Sequence, residues 1–357
     1  MTIRTAIIGA SFARAAYLPA LATVEDVEVT AISSARLESA QAVAQEFGIP
    51  HAYDDWRTML DRHPVDLVGI ATPVIHHAPM TLAALEAGAH VICEKPMAMN
   101  SDEARRMLDK AEALGRVHLI GHELRFNPNR RKIRRLIAEG AIGQVRHVNI
   151  VNITSAWGDP ASRPEGDWWS LAEMGGGRLG ANGSHQIDLL RFWLGEIGAI
   201  SGQLATMVPD RIGKDTGRPW TATADDQASF IAEMQNGALA SVFLSGVARH
   251  APGNHVQIFG SEGTIMLADA DEKLLFARAG EPFEDISEPD PNADLPGIGK
   301  GIWNVSFVGL IHEATAAVRE GRAPREGATF ADGLKCQQAM DAVRRSSAER
   351  RWIALDH

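Results

Sequence analysis

Two rhythms of apolar and polar positions run along the chain, and one gives way to the other near residue 121. Before that point, short apolar runs recur at residues 5–9, 27–32, 65–71, 91–93 and 117–121. Runs of this length without alternation suit a parallel sheet covered on both faces. Between them the spacing predicts helices over 37–47, 53–60, 79–86 and 101–114, with Gly48 as a stop and Ser101 as an N-cap. Strand–helix alternation of this kind predicts an α/β fold beginning with a doubly wound Rossmann domain over residues 1–123.

Beyond residue 123 the rhythm lengthens. A helix at 127–140 and a β-branched strand at 144–157 lead to Gly175, Gly176 and Gly177, then a helix at 185–194. Strands are expected at 201–208, 227–234, 238–245, 255–259, 264–268 and 273–277, with turns at Asn236-Gly237 and Ser261-Glu262-Gly263. Successive hairpins make residues 124–357 an α+β domain with an open, mostly antiparallel sheet. A loop rich in Pro and Asp at 289–296 and helices at 305–320 and 330–349 complete it.

Composition narrows the function classes. The chain has 357 residues, 45% hydrophobic and 22% charged, which fits about two domains of a soluble globular protein. A net charge of −10 excludes a general nucleic-acid binder. The basic run from Arg130 to Arg135 reads as the solvated face of a helix ending at Gly140. No apolar run spans a bilayer, no signal peptide is visible, and Cys93 and Cys336 form no disulfide framework, so a cytoplasmic setting is expected. No metal-ligand spacing stands out among the 13 histidines.

The first strand runs into Gly9, Ser11, Phe12 and Ala13, the setting of a dinucleotide turn, where exposed N–H groups hold a pyrophosphate. Only Gly9 of the three usual glycines is present; Ser11 and Arg14 take the other two places. After the second strand come Ser33, Ser34 and Arg36, where NAD-binding folds place an acid on the ribose. Two hydroxyls and a guanidinium without a carboxylate suit a 2′-phosphate, so NADP(H) is the expected cofactor, with NAD(H) possible. Further candidates at the carboxyl edge are Ala71, Thr72, Pro73 and His77, then Glu94 and Lys95 of HVICEKP. A lysine at a strand end is either a surface ion pair or a functional amine.

Together these residues resemble the Gfo/Idh/MocA family, the glucose–fructose oxidoreductase and inositol dehydrogenase relatives. The resemblance rests on Thr72-Pro73 with His77, the AGAHVICEKP segment from Ala87, and Gly121-His122 with Arg125-Phe126. It rests further on Glu139-Gly140, Ile142-Gly143, and the three glycines with Gly183, His185 and Asp188. It implies a second domain for substrate binding and oligomer contacts, a homodimer or homotetramer, and hydride transfer at a secondary alcohol or ketone of a sugar or polyol. It places Lys95 beside nicotinamide and substrate and makes His185 the catalytic histidine, but the family's aspartate position holds Ala181, with Asn182 adjacent. A partly desolvated Lys95 near nicotinamide can take the alcohol proton, and His185 is a second group able to act near neutral pH. Arg125, Trp168, Trp169, Asn182 and Asp188 are candidate substrate contacts; the tryptophans equally suit a core, and Asp188 equally braces His185. A reductase of a non-sugar carbonyl or diol-type substrate, and a non-catalytic NADP-binding sensor, remain as alternatives.

Overall fold

The computed structural model describes residues 2–268 and 272–355. The chain divides into two compact units, one of residues 1–127 with 290–334, the other of 128–289 with 335–357. The first begins with strands β1 (Ile3–Ile8), β2 (Val27–Ser33), β3 (His51–Tyr53), β4 (Leu67–Ile70), β5 (His90–Cys93) and β6 (His118–Ile120). They form one parallel sheet of order β3-β2-β1-β4-β5-β6, so strand order reverses between β1 and β4. Helices α1 (Leu18–Leu21), α2 (Leu37–Phe47), α3 (Trp56–Arg62), α4 (His77–Glu86) and α5 (Ser101–Ala113) connect the strands. The continuous apolar runs are buried, as two-sided cover demands: all four residues of β4 are inaccessible.

Caps set the helix ends. Gly48 closes α2 in the left-handed conformation at φ 68°. Asn100, one residue before the expected Ser101, caps α5: its side chain accepts the Glu103 N–H at 2.9 Å. Glu103 in turn accepts the Met99 N–H at 3.1 Å. An amide at Asn100 with an acid three residues on satisfies two orphan donors at once, which leaves Ser101 as the first helical residue. The expected helix over 53–60 begins only at Trp56, because Asp55 caps it and His51 to Tyr53 pair with β2 instead.

The second unit opens with α6 (Pro128–Ala138), β7 (Val145–Ile153) and α7 (Ser184–Leu194), then β8 (Ile197–Ala205), β9 (Asp210–Ile212) and β10 (Pro219–Thr221). There follow β11 (Gln227–Met234), β12 (Leu239–Ser245), β13 (Gly253–Gly260), β14 (Gly263–Ala268), β15 (Lys273–Arg278) and β16 (Glu284–Asp285). The basic run on α6 is a solvated face only in part, with Arg134 and Arg135 exposed. Arg130 is 4% exposed and ion-paired with Glu272, while Lys132 and Arg135 both hold Glu288, at 3.1 and 2.9 Å. These cations tie the β15–β16 edge to the helix.

Two long helices, α8 (Ile302–Glu320) and α9 (Phe330–Glu349), and the short strand β17 (Ile353–Ala354) end the chain. The large sheet has order β16-β15-β14-β13-β7-β12-β11-β8-β17. Its pairings are antiparallel except β7 with β12. The sequence boundary after residue 123 falls four residues before Asn127, where the first unit's opening run ends; residues 290–334, read as part of the second domain, belong to the first unit. The reason is packing: Phe307, Val308, Leu310 and Ile311 of α8 share a buried core with Ile7, Tyr17 and Leu119. Phe307 lies 5.6 Å from Phe12 and 4.6 Å from Tyr17 between ring centroids.

Candidate active site

In the first unit the candidate cofactor residues gather along one sheet edge, because parallel strands deliver all their carboxyl ends together. Gly9 has φ 111°, and a Cβ there would lie 2.1 Å from the Ala71 carbonyl oxygen. Only glycine lets β1 turn so close to the end of β4. Arg14 is the first residue of the following helical turn to find a carbonyl, that of Ala10 at 3.0 Å. The N–H groups of Ser11, Phe12 and Ala13 have no partner among the described residues, a cradle suited to pyrophosphate oxygens. Arg14 points away into an ion pair with Glu46 at 2.7 Å. Ser33 is the last residue of β2 and is buried, so the expected pair of hydroxyls narrows to Ser34. Arg36 is exposed at the start of α2 and makes no ion pair among the described residues.

His77, expected as a cofactor contact, is fully buried. Its Nδ1 faces the Pro96 carbonyl and its Nε2 the Thr72 carbonyl, both at 2.9 Å. Burial lowers its pKa to about 4, so the ring is neutral and whichever nitrogen carries the proton donates to its carbonyl. The imidazole therefore braces the ends of β4 and β5 from behind, fixing Thr72, Pro73 and the cis Lys95–Pro96 peptide. Glu94 is braced likewise. The Tyr17 hydroxyl donates to its Oε1 at 3.0 Å, and Gly121 packs so tightly on the carboxylate that a Cβ would lie 2.5 Å away. Burial pushes the Glu94 carboxyl up to about 7, against the pull of Lys95 and Tyr17. Lys95 itself stays half-buried at the edge. Tyr17 carried no signal in the sequence, since nothing local marks an aromatic in a helix as the partner of an acid 77 residues later.

Arg125, expected at the substrate, has another task in this unit: Nη2 pairs with Asp332 at 3.2 Å and Nη1 reaches the Glu326 carbonyl at 3.4 Å. Its guanidinium ties the start of α9 and the loop before it to this unit.

In the second unit the glycine run works as a hinge of close contacts. A Cβ on Gly176 would meet the carbonyl oxygens of Trp168 and Trp169, each at 2.5 Å, and Gly177 donates its N–H to Trp169 at 2.9 Å. The two indoles stack on each other with centroids 3.9 Å apart, both half-exposed. A π-helical turn at Leu179–Gly183 follows and runs into α7 with His185. π-Helical turns recur at functional sites. Within this turn Ala181 and Asn182 are half-exposed while its other residues are buried. His185 and Asp188 lie one turn apart on α7, and both are buried. The carboxylate nearest the head of this segment belongs to Asp225, which accepts the Leu179 N–H at 2.8 Å. Its pKa is raised to about 6 by burial. Neither it nor Arg178, buried beside it, was singled out by the sequence.

The strand order, the glycine turn and the unpartnered N–H groups define a dinucleotide-binding α/β protein. Residues 3–122 match the family described as "Oxidoreductase family, NAD-binding Rossmann fold", and residues 130–266 match the "GFO/IDH/MocA C-terminal domain". The chain belongs to the Gfo/Idh/MocA family and is an NAD(P)-dependent oxidoreductase. Among its relatives, levoglucosan dehydrogenase of Pseudarthrobacter phenanthrenivorans is 29% identical over 351 residues, covering 90% of this chain and 88% of that one. D-glucoside 3-dehydrogenase of Escherichia coli is 34% identical over 194 residues, 54% of each chain. The structure of levoglucosan dehydrogenase in complex with NADH and levoglucosan superposes with a TM-score of 0.90 at 27% identity, covering 100% of both chains. No helix of the described residues is long and apolar enough to cross a membrane, and none of their His, Cys, Asp and Glu side chains group as a metal site.

Proposed function

We propose that the protein transfers a hydride between nicotinamide and a secondary alcohol or ketone of a sugar or polyol, with NADP(H) preferred over NAD(H). The observation that carries this reading is the mounting of Lys95 at the carboxyl end of β5, on a strand end fixed by His77 and Glu94. Those bonds fix the backbone from which Lys95 projects, and acid–base chemistry requires such a fixed mounting. Bound nicotinamide supplies the hydride acceptor or donor. In oxidation Lys95 takes the hydroxyl proton as the C–H electron pair leaves carbon; in reduction it returns a proton to the carbonyl oxygen. His185 is assigned as the second proton-handling group, with Asn182, Asp188 and the Trp168–Trp169 stack as substrate contacts. Carbohydrate substrates are supported by the relatives' names and NADP(H) by Ser34 and Arg36. We assign Arg178 and Asp225, rather than Arg125, to the substrate unit. A cytoplasmic homodimer or homotetramer fits the two free buried cysteines and the apolar outer sheet face described below.

Initial rates of purified protein with NADP⁺ and NAD⁺ across neutral and acidic sugars and polyols test the assignment. Lys95→Ala should lower kcat by about 10²–10⁴, the usual worth of a positioned acid or base. Near-normal kcat in that variant would remove Lys95 from the chemistry. A second reading, a non-catalytic dinucleotide sensor, draws on Ala181, which puts no carboxylate on the half-exposed face of its turn. Tight NADPH binding without turnover of any alcohol or carbonyl is what that reading expects.

A further inference from the structure

Three guanidinium groups converge on Trp157 in the second unit. Those of Arg163 and Arg178 lie over its ring at 5.4 and 5.7 Å, and Arg211 donates to its carbonyl at 3.2 Å. Two of the three have acids of their own: Asp167 is 2.7 Å from Arg163 and Asp226 is 3.8 Å from Arg211. Arg178 does not. It is 5% exposed, its side chain bonds only the neutral Asn152 amide oxygen through Nη2, and its Nε has no partner among the described residues. No carboxylate of the described residues stands within ion-pair distance of it. Asp225, whose charge acts on it from beyond ion-pair distance, is engaged by the Leu179 N–H and also faces Arg344.

Buried cations in folded proteins are paired, because an unpaired charge away from water is costly. The indole face offers some attraction but no acceptor for the unused N–H groups. The position of Arg178 matters as much as its solitude. A Cβ on Gly246 would lie 3.2 Å from Arg178 Cδ, and one on Gly183 would lie 3.1 Å from Leu244. Leu244 and Gly246 are two residues apart, about 7 Å along a strand. Arg178 and the residues leading into His185 therefore rest on neighbouring points of the same sheet. Between Arg178 and Asp188 the segment carries no acid, so nothing on it cancels the guanidinium.

We propose that Arg178 binds a carboxylate of the substrate, so that the sugar or polyol turned over is an acid, a uronate or an aldonate. A guanidinium without an ion-pair partner among the described residues matches one negative charge, and its planar fork matches a carboxylate in two hydrogen bonds. A phosphate dianion would call for a second cation, and both neighbouring arginines already hold acids. The assignment makes Arg178 a specificity-determining residue, and it rests on the hydride-transfer reading above.

The test compares D-glucuronate and D-gluconate with D-glucose and D-sorbitol as substrates, at saturating NADP⁺ and again at saturating NAD⁺. For the wild type, kcat/KM with an acidic member should exceed that of its neutral counterpart by about 100-fold or more. Arg178→Gln should reduce this ratio at least about 30-fold, mostly through KM, and Arg178→Lys should recover part of it. Should Arg178→Gln not fold, the wild-type ratio and the displacement of thermal midpoint by glucuronate against glucose decide the matter. Preference for the neutral sugars, or equal loss on both classes in Arg178→Gln, overturns the carboxylate assignment and leaves hydride transfer standing. No turnover of any member with either cofactor removes both.

Discussion

At the scale of single residues, side chains that look like ligands in the sequence turn out to be of two kinds. His77 and Glu94 sit in a motif with Lys95, yet both are buried and hold the strand ends in place. Arg178 stands in no motif and has no ion-pair partner among the described residues. Sequence spacing shows which residues arrive at an edge; it does not show which of them face inward. Two predictions belong here. NADPH should bind more tightly than NADH, and Arg36→Ala should narrow the gap by about 1–3 kcal/mol, the scale of a charge-assisted contact. Titration of cofactor fluorescence checks this, and equal wild-type affinities would refute it. The second concerns Glu94, whose carboxyl is raised by burial from 4.5 to about 7. A raised acid keeps its proton more readily folded than unfolded. Its contribution to stability is therefore complete below the unfolded value and is lost as pH climbs through about 7. Glu94→Gln should flatten that decline, on the order of 1–3 kcal/mol, in urea unfolding across this window. Parallel curves for variant and wild type would show that Glu94 does not titrate there.

At the scale of elements, the sequence was most legible where one rule acted alone. The helices Leu37–Phe47 and Phe330–Glu349 and the strand Gln227–Met234 begin and end where their apolar periods do. The first strand, by contrast, starts two residues before its apolar run, and α5 starts beside a cap chosen by Asn100 and Glu103 together. The strands at Asp210–Ile212, Pro219–Thr221, Glu284–Asp285 and Ile353–Ala354 were missed. They are too short for a period to show, and only their partners make them strands. The basic helix α6 was misread in part for the same reason: its counter-charges lie 142 and 153 residues away in sequence, at Glu272 and Glu288. Since the side chains of Arg130 and Glu272 are 5% and 17% exposed, Arg130→Ala should destabilise by about 3–5 kcal/mol, because it strands a largely buried carboxylate. Denaturant unfolding reads this directly; a loss below about 1 kcal/mol would mean the pair behaves as a surface contact.

At the scale of the whole molecule, the nine-stranded sheet and the late return of the chain set the terms. On the sheet's outer face Ile231, Leu239 and Phe243 are 45, 48 and 38% exposed, and the Asn149 amide bonds Gln257 and Ser241 across neighbouring strands. Such a face tends to be covered by another copy of the chain. Sedimentation at micromolar concentration should show at least a dimer, and Phe243→Glu should shift it toward monomer. A wild-type monomer would refute this. The return of residues 290–334 carries a consequence for synthesis. The opening strands of the dinucleotide-binding unit are translated before residues 128–289, but the unit lacks Phe307 and its neighbours until those residues have been made. On the ribosome its opening strands must wait, with an unfilled core, while strands β7 to β16 emerge. The unit that is begun first is completed only after the segment that interrupts it, and a nascent chain cut off before Phe307 would lack part of that unit's core.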